Sequence, residues 1–111
     1  MDTLPVLTLE HRKALVVGGA GGGIGSAITH SLAQAGAHVS VITNEASHAD
    51  SVHSEAQERG HDIECHISDV TDLKSFTATI DSVIAASGSI HHLVNVVGGA
   101  EVSDWSRAKD Y

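Results

Sequence analysis

Six of the eight residues from Gly18 to Gly25 are glycine, in the run Gly-Gly-Ala-Gly-Gly-Gly-Ile-Gly, with an apolar segment before it and a helical pattern after it. Glycine tolerates positive φ and carries no Cβ to hold a ligand away from the backbone. Ala14 to Val17 reads as a strand, and Ile24, Ala27, Ile28, Leu32 and Ala35 recur along one helical face. The first turn of such a helix presents N–H groups and the positive end of its dipole to the loop above it. That geometry suits a phosphate. The stretch therefore reads as a phosphate cradle at the start of a dinucleotide-binding unit.

Several glycine templates can be tested. Gly-x-Gly-x-x-Gly fails in every register, and a P-loop fails because Ile24 follows Gly23 where lysine is required. Two patterns fit: Gly19, Gly23 and Gly25 as Gly-x-x-x-Gly-x-Gly, and Gly19, Gly22 and Gly25 as Gly-x-x-Gly-x-x-Gly. Other chemistry is thin. The nine histidines follow no His-Glu-x-x-His pattern, and Cys65 has no second cysteine with which to build a zinc site. They read as surface groups that buffer near neutral pH, and no metal is expected.

The elements that must hold the loop alternate strand and helix. Strands are expected over Lys13–Val17, around Val39, Val41 and Ile42, over Ile63–Ile67 and over Leu93–Val97. The first helix stops at Gly36. The second, Ala46–Arg59, buries a thin stripe of Ala49, Val52 and Ala56 and ends at Gly60. The third, capped by Thr71 or Asp72, carries Leu73, Phe76, Ile80, Val83 and Ile84 and stops at Gly88. Short links between alternating elements imply right-handed crossovers and a Rossmann-like, doubly wound parallel α/β sheet of order 3-2-1-4, with the ligand crevice between strands one and four. The fourth strand is nearly all apolar, as in a strand covered on both faces. At the sheet edge it would be bare, with helix three alone on one face, so residues 1–111 read as the N-terminal part of a single nucleotide-binding domain, truncated after strand four. Residues 1–10 look like a loose lead-in, and Ala100–Tyr111 like a polar tail containing Trp105.

Fourteen acidic residues against six basic ones disfavour nucleic acid or an anionic membrane as partner. No run is long enough to span a bilayer, the acidic start lacks the features of a secretory signal, and a lone cysteine suits a reducing compartment, so a cytoplasmic location is expected.

With these motifs in order, the chain resembles the short-chain dehydrogenase/reductase family. Its single-domain branch carries Thr-Gly-x-x-x-Gly-x-Gly, an Asp after strand three and Asn-Asn-Ala-Gly after strand four; here stand Gly18–Gly25, Ser68-Asp69-Val70 and Asn95-Val96-Val97-Gly98. Gly18 replaces the Thr, and Val96 and Val97 replace Asn-Ala. The resemblance implies that Gly19, Gly22, Gly23, Ile24 and Gly25 surround the pyrophosphate. It implies that Asp69 accepts a hydrogen bond from the adenine amino group beside the Val70 backbone. Asn95 and Gly98 would line the ribose–nicotinamide half of the crevice.

Cofactor choice falls to the end of strand two, where an acid about 20 residues past the glycines would bind a ribose 2′-OH and repel a 2′-phosphate. Thr43 and Asn44 stand there, neither acidic nor basic. Small polar groups can hydrogen-bond a phosphate, so NAD or NADP remains open with a lean to NADP. The resemblance implies an oxidoreductase that moves hydride between nicotinamide and an alcohol or carbonyl substrate. The family's catalytic Ser and Tyr-x-x-x-Lys cannot be placed: the sole tyrosine is Tyr111, with no lysine after it. No catalytic residue is assigned, and the chain alone is expected to be inactive. A non-catalytic dinucleotide-binding or interaction module is the alternative, and strand four offers an edge for an oligomer or complementing chain.

Overall fold

The computed structural model describes residues 8–21 and 23–97. Gly22, Gly98, Trp105 and the tail of the sequence lie outside them, as does most of the lead-in. The element order is β1 (Lys13–Val17), α1 (Ile24–Gln34), β2 (His38–Thr43), α2 (Ala46–Glu58), β3 (Ile63–Ile67), α3 (Leu73–Ser87) and β4 (His92–Asn95). The four strands form one sheet in the order β3-β2-β1-β4, and every pairing is parallel.

Strand β1 lies inside the sheet, and Ala14, Leu15, Val16 and Val17 are all buried. The period-two alternation of strand side chains sends them to two cores. Ala14 and Val16 join Val39, Val41 and Ile63 under α1 and α2, which contribute Ala33 and Ala56. On the opposite face Leu15 and Val17 join Ile42 beneath α3, which contributes Val83. The expected stripe of Ala49, Val52 and Ala56 is the buried side of α2. Asp72 caps α3, its carboxylate accepting from the Ser75 N–H at 3.2 Å, and the three helices stop before Gly36, Gly60 and Gly88, each at positive φ.

Helix α1 departs from expectation. Its buried side is Gly25, Ser26, Thr29, His30 and Ala33, whereas Ile28 and Leu32 are half-buried and Ile24 is 74% exposed. The helix is rolled so that its small and hydroxyl residues meet the sheet. Close contact with the glycine loop outweighs burial of the larger apolar residues.

Strand β4 also differs. It ends at Asn95 rather than Val97, because the Asn95 side-chain oxygen accepts from the Val97 N–H at 3.0 Å and turns the chain. It is not covered on both faces. Leu93 is 66% exposed and only Val94 is half-buried. Leu73 and Ile84 of α3 are exposed as well, so the α3 face of the sheet is open beside β4.

Leu15 and Asp72 test this account at two levels. Leu15→Ala is expected to lower stability by about 2–5 kcal/mol through loss of core packing. Asp72→Ala should lower it by about 1 kcal/mol through loss of one helix cap. Urea unfolding followed by circular dichroism measures both.

Candidate functional site

The glycine loop leaves β1 at Gly18, whose N–H donates to the Ile42 carbonyl at 2.8 Å and ties the loop to β2. Its glycines do different jobs. A methyl group at Gly25 would collide with the Gly18 carbonyl oxygen, and one at Gly19 would come within 2.8 Å of Val16 Cγ1. The Thr29 hydroxyl donates to the Gly19 carbonyl at 2.8 Å and fastens α1 to the loop. Gly23, in contrast, has open space where a side chain would go.

Helix α1 begins at Ile24 with Gly23 as its N-cap residue, with no side-chain cap and no acid in its first turn. Its dipole therefore faces the loop without a counter-charge. Two glycines are used to bring helix and strand together, and one leaves a gap at the helix start. Such a cradle fits a diphosphate.

Gly18 stands at φ +86°, a region in which a threonine would be strained, and a side chain there would press within 3.2 Å of Val97. Both residues are departures from the family pattern, Gly for Thr and Val for Ala. The larger Val97 lies against the side that Gly18 leaves bare, so the two departures complement each other.

An open pocket of about 190 Å³ lies beside the loop, between Ala20, Thr43, Asn44, His48, Ser68 and Val70. Thr43 ends β2 and is buried. Its hydroxyl accepts from the Glu45 N–H at 3.3 Å, and its carbonyl accepts from the Ser68 N–H at 2.9 Å. Asn44 is exposed. Asp69 is exposed too and does not line this pocket; its carboxylate accepts from the Thr71 hydroxyl at 2.6 Å and the Thr71 N–H at 2.9 Å. Those two bonds, the hydroxyl's first, hold its carboxyl below the ordinary aspartate range. Asn95 lies apart from the first pocket, in an apolar recess of about 280 Å³ with Val17, Phe76, Ile80 and Leu93. Val70 and Val97 line both spaces and join them.

Sequence reasoning missed Ser68, buried between β3 and α3, and His48, whose ring lies against Gly21. Treating the histidines as a uniform surface set is also wrong. His30 is buried with Nε2 2.9 Å from Glu55 Oε2, joining α1 to α2, and His91 Nδ1 accepts from the Lys13 N–H at 2.9 Å. The only available signal for His48 was its place in the first turn after β2.

Residues 13–110 match the family model described as short chain dehydrogenase. The chain is 32% identical over 87 residues to the short chain dehydrogenase/reductase dpchG of Colletotrichum higginsianum, which covers 78% of this chain and 32% of that protein. Among solved structures it is similar to the citronellol catabolism dehydrogenase AtuB of Pseudomonas aeruginosa, at 31% identity and a TM-score of 0.78 over 91% of this chain and 41% of that one. A hydroxysteroid dehydrogenase from Escherichia coli matches at 34% identity and a TM-score of 0.76, over 92% and 44%. The chain thus spans less than half the length of these relatives.

Gly18→Thr should destabilise by about 1–3 kcal/mol from backbone strain and crowding, and Val97→Ala in the same chain should recover part of that. A double-mutant cycle of unfolding midpoints reads the coupling. The Asp69–Thr71 turn has a defined pH response. Because the folded-state carboxyl titrates lower than in the unfolded chain, its contribution is present above the ordinary aspartate value and is lost as pH falls through the folded one. The Thr71 amide and the Asp69 carboxyl should titrate together in NMR spectra below that ordinary value, and Asp69→Asn should abolish the response at Thr71.

Proposed function

The chain belongs to the short-chain dehydrogenase/reductase family, and on that premise we propose that it is the nicotinamide-dinucleotide-binding portion of an oxidoreductase acting on an alcohol or carbonyl compound. One observation carries the reading: Gly19 and Gly25 are consumed in bringing α1 against β1, while Gly23 leaves the uncapped start of α1 open. Open space at that point serves a ligand rather than the fold.

In this reading the backbone around Gly23 and Ile24 holds the diphosphate, with Gly22 of the same loop. Thr43, Asn44 and Val70 border the adenosine half, with Asp69 at the rim. Asn95, in the apolar recess, borders the nicotinamide half, a role the family pattern also gives to Gly98. When bound, the nicotinamide supplies hydride transfer to or from the carbon that bears the substrate oxygen. The residues of this chain bind and orient the dinucleotide, and the recess offers an apolar wall to one side of the crevice. A proton donor for the substrate oxygen has no candidate here, since Tyr111 is the only tyrosine and no Tyr-x-x-x-Lys occurs. The 111 residues by themselves therefore bind cofactor without turnover. The uncharged end of β2 favours NADP over NAD in this reading.

The exposed Leu73, Ile84 and Leu93 favour a second reading, an interaction module whose open face takes up further protein. Fluorescence titration with NADH and NADPH separates the two. Saturable binding is expected, and Gly23→Val should weaken it at least tenfold while leaving the circular dichroism spectrum intact. Absence of binding together with concentration-dependent association in sedimentation would replace the first reading by the second. Reduction of a carbonyl compound by the 111-residue chain with NADPH would overturn the proposed lack of turnover.

A further inference from the structure

We propose that His48, paired with Glu45, reads the 2′ position of the adenosine ribose and so sets the choice between a 2′-phosphorylated and an unphosphorylated dinucleotide. The inference rests on the dinucleotide reading above. It assigns the charge that the end of β2 lacks.

His48 is the third residue of α2 and is half-buried. Its ring packs on the glycine loop, with Nδ1 3.1 Å and Cε1 3.3 Å from the point where a Gly21 Cβ would stand. It shares the 190 Å³ pocket with Thr43 and Asn44, and it is the sole titratable side chain among the described residues lining that pocket. On the far side of the ring, Nε2 is 3.4 Å from Glu45 Oε2, a carboxylate on a half-exposed side chain. Helix α2 has no acid in its first helical turn, but its N-cap residue is Glu45, so the carboxylate that pairs with His48 is also the charge that opposes an anion at this helix start.

The groups facing His48 from the surrounding elements are few. Among the described residues, Glu45 at the head of α2 is the one charge paired with it. The glycine loop and the end of β2 offer no ionisable side chain, and Asp69, in the loop after β3, is engaged by Thr71. A protonated imidazole here gives a charge-assisted hydrogen bond to a 2′-phosphate. A neutral imidazole leaves the Glu45 carboxylate uncompensated, which repels the phosphate and accepts from a ribose hydroxyl.

Calorimetric titration of the 111-residue chain with ADP and with adenosine 2′,5′-bisphosphate tests this. His48→Gln should weaken the bisphosphate about tenfold and change ADP less than twofold. Glu45→Gln should strengthen the bisphosphate. His48→Lys should keep the preference for the bisphosphate. Equal weakening of both ligands by His48→Gln, or no change in either, would overturn the assignment while leaving the dinucleotide reading in place. If neither ligand binds the unaltered chain, both readings fall.

Discussion

The approach of α1 to the strand before it governs the rest of this structure. Gly25 lies so near the Gly18 carbonyl that no side chain fits between them, and the Thr29 hydroxyl secures the Gly19 carbonyl from the next turn of the helix. The contact fixes how α1 is rolled, and with it which residues meet the sheet. It also decides where the helix begins, and hence where its uncapped N-terminus points. Ile24 is left exposed as a direct result. An ordinary amphipathic helix would have turned Ile24 inward as this one turns Ile28.

The same contact explains how two departures from the family pattern coexist. With Gly18 at positive φ, the space beside the loop is filled by Val97 from the chain after β4. The end of β4 is thereby linked to the start of the loop, although the two are far apart in sequence. The floor of the proposed cofactor crevice is formed from both, with Val70 bridging its polar and apolar compartments.

Much of this was legible in the residues, for identifiable reasons. Strand β1 declares itself by an unbroken apolar run, the stripe Ala49, Val52 and Ala56 by its helical period, and the helix ends by Gly36, Gly60 and Gly88. These are local signals, set by propensity and pattern. The roll of α1 was not legible, because it depends on a backbone collision that hydrophobicity does not encode. The bare edge at β4 was legible in the expected strand order, and the exposure of Leu93 agrees with it. His48 beside Gly21 and His30 against Glu55 are contacts between elements, and nothing in the local pattern distinguishes either histidine from its solvent-facing counterparts. Asp69 was legible as a motif residue, but its hold on Thr71 depends on the shape of the turn.

The order β3-β2-β1-β4 carries a temporal consequence. Leu15 and Leu93 are register partners, so the flank that β1 turns toward β4 has no mate while the intervening chain emerges from a ribosome. β2 and β3 can zip onto β1 early, giving a three-stranded nascent sheet whose most apolar strand is its temporary margin. Closing so long a loop costs only slowly growing entropy, but the wait exposes a Leu-Val-Val border to mispairing. In the finished sheet His91, accepting from the Lys13 N–H just ahead of β4, ties the start of that strand to β1.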